Sequence, residues 1–206
     1  MLSADYTLIC HTIKLEKICL LLYNDRNICN IKRKKKNQMK HLNIVLVEPE
    51  IPQNTGNISR TCACTGASLH LVRPLGFSID DAHLKRAGLD YWKYLDVTVH
   101  ESLEAFLQFA KGKPMRLAST KSAKNHTQAD YPEDCFILFG RESRGLPEEL
   151  LKEHYDDCVR IPMMGNLRSL NLSNSVAIVV YEVLRQSGFE DMEQHGHLHG
   201  TAEDSE

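Results

Sequence analysis

The amino-acid sequence predicts an α/β domain in which a parallel sheet is covered by helices on both faces. Runs rich in Ile, Leu and Val alternate with helical patterns along most of the chain. These runs are apolar throughout, as expected of strands that are buried on both faces. Unusual polar segments follow directly after several of the runs. They therefore fall at the carboxyl ends of the predicted strands, where parallel sheets bind ligands.

The first half of this pattern begins after residue 40. The run Leu42–Val47 reads LNIVLV and precedes a turn-rich segment with two prolines, which is typical of a buried strand. A helix is predicted over Asn54–Cys64, with either Asn54 or Thr55 as its N-terminal cap. The next predicted elements are a strand over Ala67–Val72 that ends before Pro74, a short helix over Asp80–Ala87 and a strand over Asp96–His100.

The second half opens with an amphipathic helix over Ser102–Lys111, whose apolar face is formed by Leu103, Phe106, Leu107 and Ala110. The elements predicted after it are the strands Met115–Ser119 and Cys135–Phe139, the helix Pro147–His154 and the strand Cys158–Ile161. A final helix covers the apolar residues Val176–Leu184. Asn171, Ser173 and Asn174 are its candidate caps.

The chain of 206 residues, 42% of them hydrophobic, fits one domain with tails. We place the domain at 39–188, an extension at 1–38 and a polar tail at 189–206. Residues 1–40 hold nine Lys/Arg against three Asp/Glu, including the block Lys32–Lys36, and differ in character from the rest. The favoured interpretation is that Met39 is the true start. The alternative is a basic arm that binds nucleic acid.

The charge distribution and the cysteine content limit which compartment and which binding partners are expected. Residues 41–206 carry a net charge of −8, which excludes a uniformly basic nucleic-acid surface but allows a local basic patch. Seven cysteines without paired spacing favour a reducing compartment. The sequence has no run of about 18 apolar residues, the length that a membrane-spanning helix needs. We therefore expect a cytoplasmic protein without membrane partners. The tail histidines His195, His197 and His199 could bind a metal ion loosely, but a solvated tail is the favoured interpretation, so no metal site is expected.

Three polar segments carry the candidate chemistry. In Asn54–Arg60, Gly56 allows close backbone approach and Arg60 follows one helical turn later; a helix cap before a surface arginine is the simpler interpretation. Phe139–Pro147 reads FGRESRGLP and lacks both GK[ST] and GxGxxG, which disfavours P-loop and dinucleotide sites. It is either one wall of a ligand site or a charged surface turn. Arg160–Arg185 joins an amide- and hydroxyl-rich loop to the last helix, and such a loop offers many hydrogen-bonding groups to a polar ligand.

Taken in this order, these segments resemble the SPOUT superfamily of RNA methyltransferases. The resemblance is strongest to its single-domain branch, the tRNA (cytidine/uridine-34-2′-O)-methyltransferases, and covers about residues 41–188. The stretches that carry it are EPEIPQNTGNISR (48–60), RPLGF (73–77), AGLDYW (87–92), LFGRESRGLP (138–147) and IPMMGNLRSLNLSNSVAIVVYE (161–182). Arg141 is a departure, because many relatives have proline there.

The resemblance implies a sheet whose last segment forms a trefoil knot, a homodimer with composite sites, and S-adenosylmethionine as cofactor. It assigns cofactor contacts, largely through the backbone, to Ala118, Gly140, Ile161, Met163, Ser169 and Asn171. A bulky residue at Gly140 is then expected to weaken cofactor binding while the fold is largely retained.

The same resemblance implies that the wobble ribose of a tRNA anticodon stem–loop receives the methyl group. It assigns the reaction to Arg60, with Asn54 and Glu142 ordering the site. An arginine is nearly always protonated, so Arg60 either holds the neighbouring phosphate or is deprotonated only transiently. The candidate RNA contacts are Lys121, Lys124, Arg144, Arg168 and Tyr181, although Tyr181 equally fits plain helix packing. Two alternatives stay open: a ribosomal-RNA ribose 2′-O-methyltransferase, whose relatives commonly carry an additional N-terminal domain, and a non-catalytic knotted RNA-binding protein.

Overall fold

The computed structural model describes residues 41–78, 95–165, 167–196 and 198. The extension 1–38, the predicted helix Asp80–Ala87 and two of the three tail histidines lie outside these residues. The strands are β1 (Leu42–Val47), β2 (Ser68–Val72), β3 (Val97–His100), β4 (Met115–Ala118), β5 (Cys135–Phe139) and β6 (Cys158–Val159). The helices are α1 (Pro52–Thr65), α2 (Leu103–Phe109), α3 (Glu148–Glu153) and α4 (Leu172–Gln186), with 3₁₀ turns at His126–Gln128 and Tyr155–Asp157.

The six strands form one sheet in the order β3-β2-β1-β5-β4-β6, and all neighbours are parallel. This confirms the predicted parallel sheet. Strand β1 lies at the centre because β2 and β3 extend the sheet on one side and β5, β4 and β6 extend it on the other. The loops after β1 and β5 are therefore neighbours, as are the loops after β4, β5 and β6.

Helices cover both faces of the sheet, as the apolar strands predicted. Leu42, Ile44 and Leu46 of β1 pack into one buried cluster with residues of α1 and α4. Val45 and Val47 point to the opposite face, into a second cluster with residues of α2 and α3. The alternation of side chains along a strand thus divides one apolar run between two cores.

The predicted start of α1 was wrong. The helix begins at Pro52, its N-cap is Ile51, and no side chain of the cap residue bonds the first turn. Proline suits this position because its missing N–H needs no partner and its φ is already helical. Asn54, proposed as a cap, lies inside the helix and is buried. Its side chain is consequently available for contacts beyond the helix.

The segment before α4 runs beside the loop that follows β4. The Arg160 N–H donates to Lys124 O at 2.8 Å, and the His126 N–H donates to Arg160 O at 2.9 Å. Farther along, Gln186 of α4 donates to Ala129 O at 3.1 Å. These contacts join residues 122–131 to the chain before and after the last loop, while the trefoil knot itself stays a prediction. Within the described residues, no helix is long and apolar enough to cross a membrane.

Candidate active site

The loops after β4, β5 and β6 enclose a cavity of about 580 Å³ at the carboxyl edge of the sheet. Its wall includes all six residues proposed as cofactor contacts: Ala118, Gly140, Ile161, Met163, Ser169 and Asn171. It also includes the apolar side chains Leu146, Val159, Leu172 and Val179, which the sequence did not single out. The cavity is therefore mixed in character, with an apolar part and a rim of polar loops, as pockets for organic cofactors commonly are.

A tight turn after β5 forms one wall of the cavity. Arg141 and Gly145 exchange two backbone hydrogen bonds, of 3.2 and 2.8 Å, and Gly145 has a φ of 72°. A Cβ atom at Gly140 would lie 2.0 Å from the carbonyl carbon of Gly145. Gly140 is thus required by the turn itself. The expectation that a bulky residue there would leave the fold largely intact is not supported, because the side chain would collide with backbone.

Glu142 reaches from this turn to the start of α1. Its carboxylate accepts hydrogen bonds from the Glu50 N–H (2.9 Å), the Ile51 N–H (3.3 Å) and Asn54 Nδ2 (2.8 Å). Helix α1 has no acidic residue in its own first turn and no cap from Ile51. Glu142 therefore supplies, from another loop, the negative charge that the positive end of a helix favours.

Asn54 continues this chain of contacts to the third loop. Its Oδ1 accepts from Asn171 Nδ2 at 3.0 Å. Asn171 Oδ1 in turn caps α4 by accepting from the backbone N–H groups of Ser173 and Asn174 at 2.9 and 3.4 Å. Of the three caps considered for the last helix, Asn171 is the one present. Glu142, Asn54 and Asn171 thus link all three motifs and fix the starts of two helices beside the cavity.

Four cations lie at the cavity wall, and one of them, Arg141, is paired with Glu48. Lys121 pairs with Glu148 of α3, and this hydrogen bond lowers the pKa of the Glu148 carboxyl. Arg144 and Arg168 are exposed, and neither has a hydrogen-bond or ion-pair partner among the described residues. Lys124 is exposed in the loop after β4 but is not among the residues lining the cavity. Two guanidinium groups are thus directed to solvent around the opening, where a phosphate could be bound.

Arg60 and Tyr181 lie elsewhere. Neither is among the described residues that line the cavity, and both are exposed, Arg60 on α1 and Tyr181 on α4. Arg60 follows Asn54 by six residues, which corresponds to about 9 Å along a helix axis. The sequence therefore identified two residues that do not line the cavity of their own chain.

Sequence reasoning missed the contact between Glu50 and Ser143. The Glu50 carboxylate accepts from the Ser143 N–H at 2.9 Å and from Ser143 Oγ at 2.8 Å. Both residues lie inside the stretches that carry the family resemblance, but nothing in their spacing indicates that they meet across 93 positions. Only the adjacency of β1 and β5 in the sheet brings them together.

The described residues contain no group of three or more His, Cys, Asp or Glu side chains arranged to hold a metal ion. What the cavity does offer is a closely packed glycine turn, polar loop residues and an apolar part. Such a site binds a polar cofactor by its shape and backbone, and brings a second substrate to its open side.

Comparison with known proteins identifies the family. The SpoU rRNA Methylase family matches residues 41–181. The tRNA (cytidine(34)-2′-O)-methyltransferase of Methylovorus glucosotrophus is 52% identical over 147 residues, which cover 71% of this chain and 96% of that protein. A solved structure concerned with the 2-OH methylation of C/U34 on tRNA is 44% identical, with a TM-score of 0.70, and covers 74% of this chain and 99% of that one.

A more distant structure is the AdoMet-bound rRNA methyltransferase of Sinorhizobium meliloti. It is 25% identical with a TM-score of 0.66, and the match covers 73% of this chain and 58% of that one. The sequence match spans β1 to α4 and includes every loop that forms the cavity. The chain therefore belongs to the SpoU rRNA Methylase family.

Proposed function

We propose that this protein transfers a methyl group from S-adenosylmethionine to the ribose 2′-oxygen of nucleotide 34, the wobble position, in tRNA. The observation that carries the proposal is the cavity between the loops after β4, β5 and β6, joined to α1 by the contacts of Glu142, Asn54 and Asn171. Relatives about half identical to the chain over most of its domain are named for this activity.

The residues of the cavity fit S-adenosylmethionine. A volume of about 580 Å³ lies within the range expected for small-molecule sites. Gly140 lets the β5 turn close on itself, since a Cβ atom there would meet the Gly145 backbone, and this compact turn forms one wall of the cavity. Ile161, Met163 and Ser169 form the facing wall, and Leu172 and Val179 add apolar surface for an aromatic ring. When bound, the cofactor supplies a methyl group already activated by a positive sulfur.

The protein must then align the ribose and handle its proton. A 2′-hydroxyl is a weak nucleophile until its proton is removed or strongly polarised. We assign the alignment to Arg60, whose planar guanidinium can hold a phosphate beside the ribose and face the hydroxyl at the same time; it accepts the hydroxyl proton only when it is itself transiently deprotonated. Glu142, Asn54 and Asn171 keep α1, and with it Arg60, at a fixed position relative to the cavity.

The exposed cations at the cavity opening suit the anticodon stem–loop as substrate. Arg144 and Arg168 have guanidinium groups that can bind phosphates on either side of the target nucleotide. Lys121 contributes only if the RNA competes with Glu148 for it. We expect the enzyme to act in the cytoplasm, where its thiols remain reduced. Among the described residues, Cys62, Cys64, Cys135 and Cys158 form no disulfide.

A second copy of the chain completes the site in this proposal. Arg60 is exposed on α1 and does not line its own cavity, and α4 exposes Ile178 and Tyr181, which are 38% and 48% accessible. Helices α1 and α4 lie against each other. An apolar and aromatic surface beside an exposed arginine suits a homodimer in which Arg60 reaches the partner's cavity.

Transfer of labelled methyl groups from S-adenosylmethionine to tRNA tests this function. We expect incorporation into tRNA, and mapping of the 2′-O-methyl group should place it at nucleotide 34. Label on a ribose of ribosomal RNA would instead identify the protein as a ribosomal-RNA ribose 2′-O-methyltransferase. Binding of tRNA without any transfer would identify a non-catalytic RNA-binding protein.

A further inference from the structure

Glu50 lies one layer behind the cavity. It is half-buried, and it is not among the described residues that line the cavity, whereas Ser143 is. Both oxygens of the Glu50 carboxylate are nevertheless committed to Ser143, one to its N–H at 2.9 Å and one to its Oγ at 2.8 Å. The Glu50 carboxylate therefore contacts the cavity wall through the Ser143 turn.

The contact between the two loops is reciprocal. The Glu142 carboxylate accepts the Glu50 N–H, and the Glu50 carboxylate accepts the Ser143 N–H, both at 2.9 Å. Each loop thus supplies one carboxylate and one backbone donor to the other, and Arg141 adds an ion pair with Glu48. Hydrogen bonds to a charged acceptor are stronger than neutral ones, so this pair of loops is held more firmly than backbone contacts alone would hold it.

A third loop holds Glu50 from behind. The Gly76 N–H donates to Pro49 O at 2.9 Å. A Cβ atom at Gly76 would lie 2.6 Å from the carbonyl oxygen of Glu50 and 2.7 Å from its Cα. The RPLGF stretch therefore needs glycine where it packs on Glu50, and neither the cavity nor the reaction requires this glycine otherwise.

From this geometry we infer that Glu50 is a positioning residue that sets the Ser143 side of the cavity and so controls affinity for the cofactor. The inference rests on the proposed function, since it takes S-adenosylmethionine as the ligand. The charge and length of Glu50 matter because a carboxylate accepts both Ser143 donors at once. Glutamine keeps one acceptor oxygen for the Ser143 N–H, and its NH₂ group can only donate to Ser143 Oγ, so neither bond is charge-assisted any longer.

Calorimetric titration with S-adenosylhomocysteine tests the inference without any transfer reaction. We expect Glu50→Gln to weaken binding about tenfold, the size expected when a charge-assisted hydrogen bond becomes a neutral one. Ser143→Ala keeps the backbone donor and should weaken binding by about threefold. Both substitutions act on the same contact between Glu50 and Ser143. The affinity of the double variant should therefore resemble that of Glu50→Gln alone and not show the product of the two effects.

Glu133→Gln is the matched control. Glu133 Oε1 accepts the His41 N–H at 2.9 Å across 92 positions, a similar contact that does not involve the cavity. Its affinity for S-adenosylhomocysteine should equal that of the wild type. All titrations are made at a temperature where thermal melting shows each variant to be fully folded, so a loss of stability alone does not change the measured affinity.

Two further measurements separate positioning from a merely structural role. Ser143→Thr keeps the hydroxyl donor and should recover most of the affinity lost in Ser143→Ala. In steady-state assays, Glu50→Gln should raise the KM for S-adenosylmethionine while kcat at saturating cofactor stays near the wild-type value.

If the wild type binds S-adenosylhomocysteine and Glu50→Gln binds it equally well, the inference is wrong and the proposed function stands. Independent, multiplicative effects of Glu50→Gln and Ser143→Ala would also overturn it. A wild-type protein that does not bind S-adenosylhomocysteine would instead overturn the proposed function itself. Should Glu50→Gln fail to fold, the Ser143→Ala and Ser143→Thr pair decides the question, because equal affinities of the two would contradict the inference.

Discussion

Single backbone positions determine the wall of the cavity. Gly140 has no room for a Cβ atom, whereas Gly145 has space but a φ of 72° that favours glycine. The same motif therefore contains two glycines required for different reasons: close contact at one and a left-handed conformation at the other.

Replacing Gly145 with alanine should destabilise the protein by about 1 kcal/mol and also weaken cofactor binding, because the strain falls on the cavity wall. Gly112→Ala is the control, since Gly112 has a φ of 78°, open space and no place in the cavity. Urea unfolding should give similar losses for the two variants. Titration with S-adenosylhomocysteine should detect a change only for Gly145→Ala, and equal affinities would show that the turn does not contact the cofactor.

Arg60→Ala should reduce single-turnover methyl transfer by about 10²-fold or more, the size expected for loss of a group that handles a proton. Affinity for S-adenosylhomocysteine should stay near the wild-type value because Arg60 does not line the cavity of its chain. Lysine should not restore the rate, since it lacks the planar fork. Arg73→Ala, which removes an exposed arginine paired with Glu101, is the control. A wild-type rate for Arg60→Ala would show that another group carries the reaction.

At the scale of the elements, two helix starts meet at the site and are held in different ways. Helix α4 is capped by Asn171 from its own chain segment, whereas the residues just before α1 donate their N–H groups to Glu142 from a distant loop. Both sets of contacts belong to the chain through Asn54. Stability of the helices and geometry of the site therefore depend on the same side chains.

Variants of Asn171 should separate these two contributions. Asn171→Ala removes the cap and should cost about 1 kcal/mol, as should Ser102→Ala at the cap of α2. Asn171→Asp keeps a cap oxygen and should recover most of this stability, but it faces Asn54 Oδ1 without a donor. We therefore expect Asn171→Asp to be stable and slow in methyl transfer, and Ser102→Ala to transfer at the wild-type rate. A fully active Asn171→Asp would show that the link to Asn54 is dispensable.

The strands and the cap of α4 could be predicted from sequence because local patterns determine them. Asn171 directly precedes an apolar helical run, so its role follows from nearby residues. Asn54 has the same residue type before a helical pattern, yet it lies inside α1 because the helix already begins at Pro52, and its side chain bonds Glu142, 88 positions away. Likewise, the cavity residues were predicted through resemblance, whereas the Glu50–Ser143 contact requires the strand order. Long-range pairings of this kind leave no local signal.

At the scale of the whole molecule, the face of the sheet covered by α2 and α3 contains a buried histidine pair. His70 Nε2 lies 3.3 Å from Asn43 Oδ1, which can only accept, so His70 Nδ1 is the acceptor of the neutral ring and receives the hydrogen bond from His100 Nε2 at 3.0 Å. Phe106 and Phe136 pack against the rings. Burial, and secondarily the nearby His100, lowers the pKa of His70 to about 4, and burial also lowers the pKa of His100.

This pair should make the protein acid-sensitive. An unfolded histidine takes up its proton near pH 6.5, whereas His70 in the folded state remains neutral down to about pH 4. The unfolded state therefore binds more protons in this window, so stability is full above pH 6.5 and falls as the pH approaches 4, by on the order of 3 kcal/mol for His70. Urea unfolding at several pH values gives the free energy of unfolding as a function of pH. Between pH 6.5 and 4 this free energy should change less steeply with pH for His70→Gln than for the wild type. An unchanged pH dependence would assign the acid sensitivity to other groups.

The dimer proposal predicts which chain supplies Arg60 to each cavity. To test this prediction, one of the two cavities must be blocked. Ser175 lines the cavity from α4, so Ser175→Tyr should fill it and abolish binding of S-adenosylhomocysteine. Gln108→Tyr, on the exposed side of α2, is the control for the added ring. Retained binding in Ser175→Tyr would exclude it as a blocking variant, and a bulky residue at Ala118 would then take its place.

Two purified heterodimers then show which chain supplies Arg60. Both contain one Arg60→Ala and one Ser175→Tyr substitution, but these are distributed differently over the two chains. In the first, one chain carries Arg60→Ala and the other Ser175→Tyr. If Arg60 acts in the partner's cavity, the open cavity still receives an intact arginine and the dimer keeps about half the wild-type rate, as two-fold symmetry requires. In the second, one chain is wild type and the other carries both changes, so its single open cavity faces an alanine and the dimer is inactive. If Arg60 instead acts in the cavity of its own chain, both results are reversed, because only the second heterodimer has Arg60 and an open cavity on the same chain.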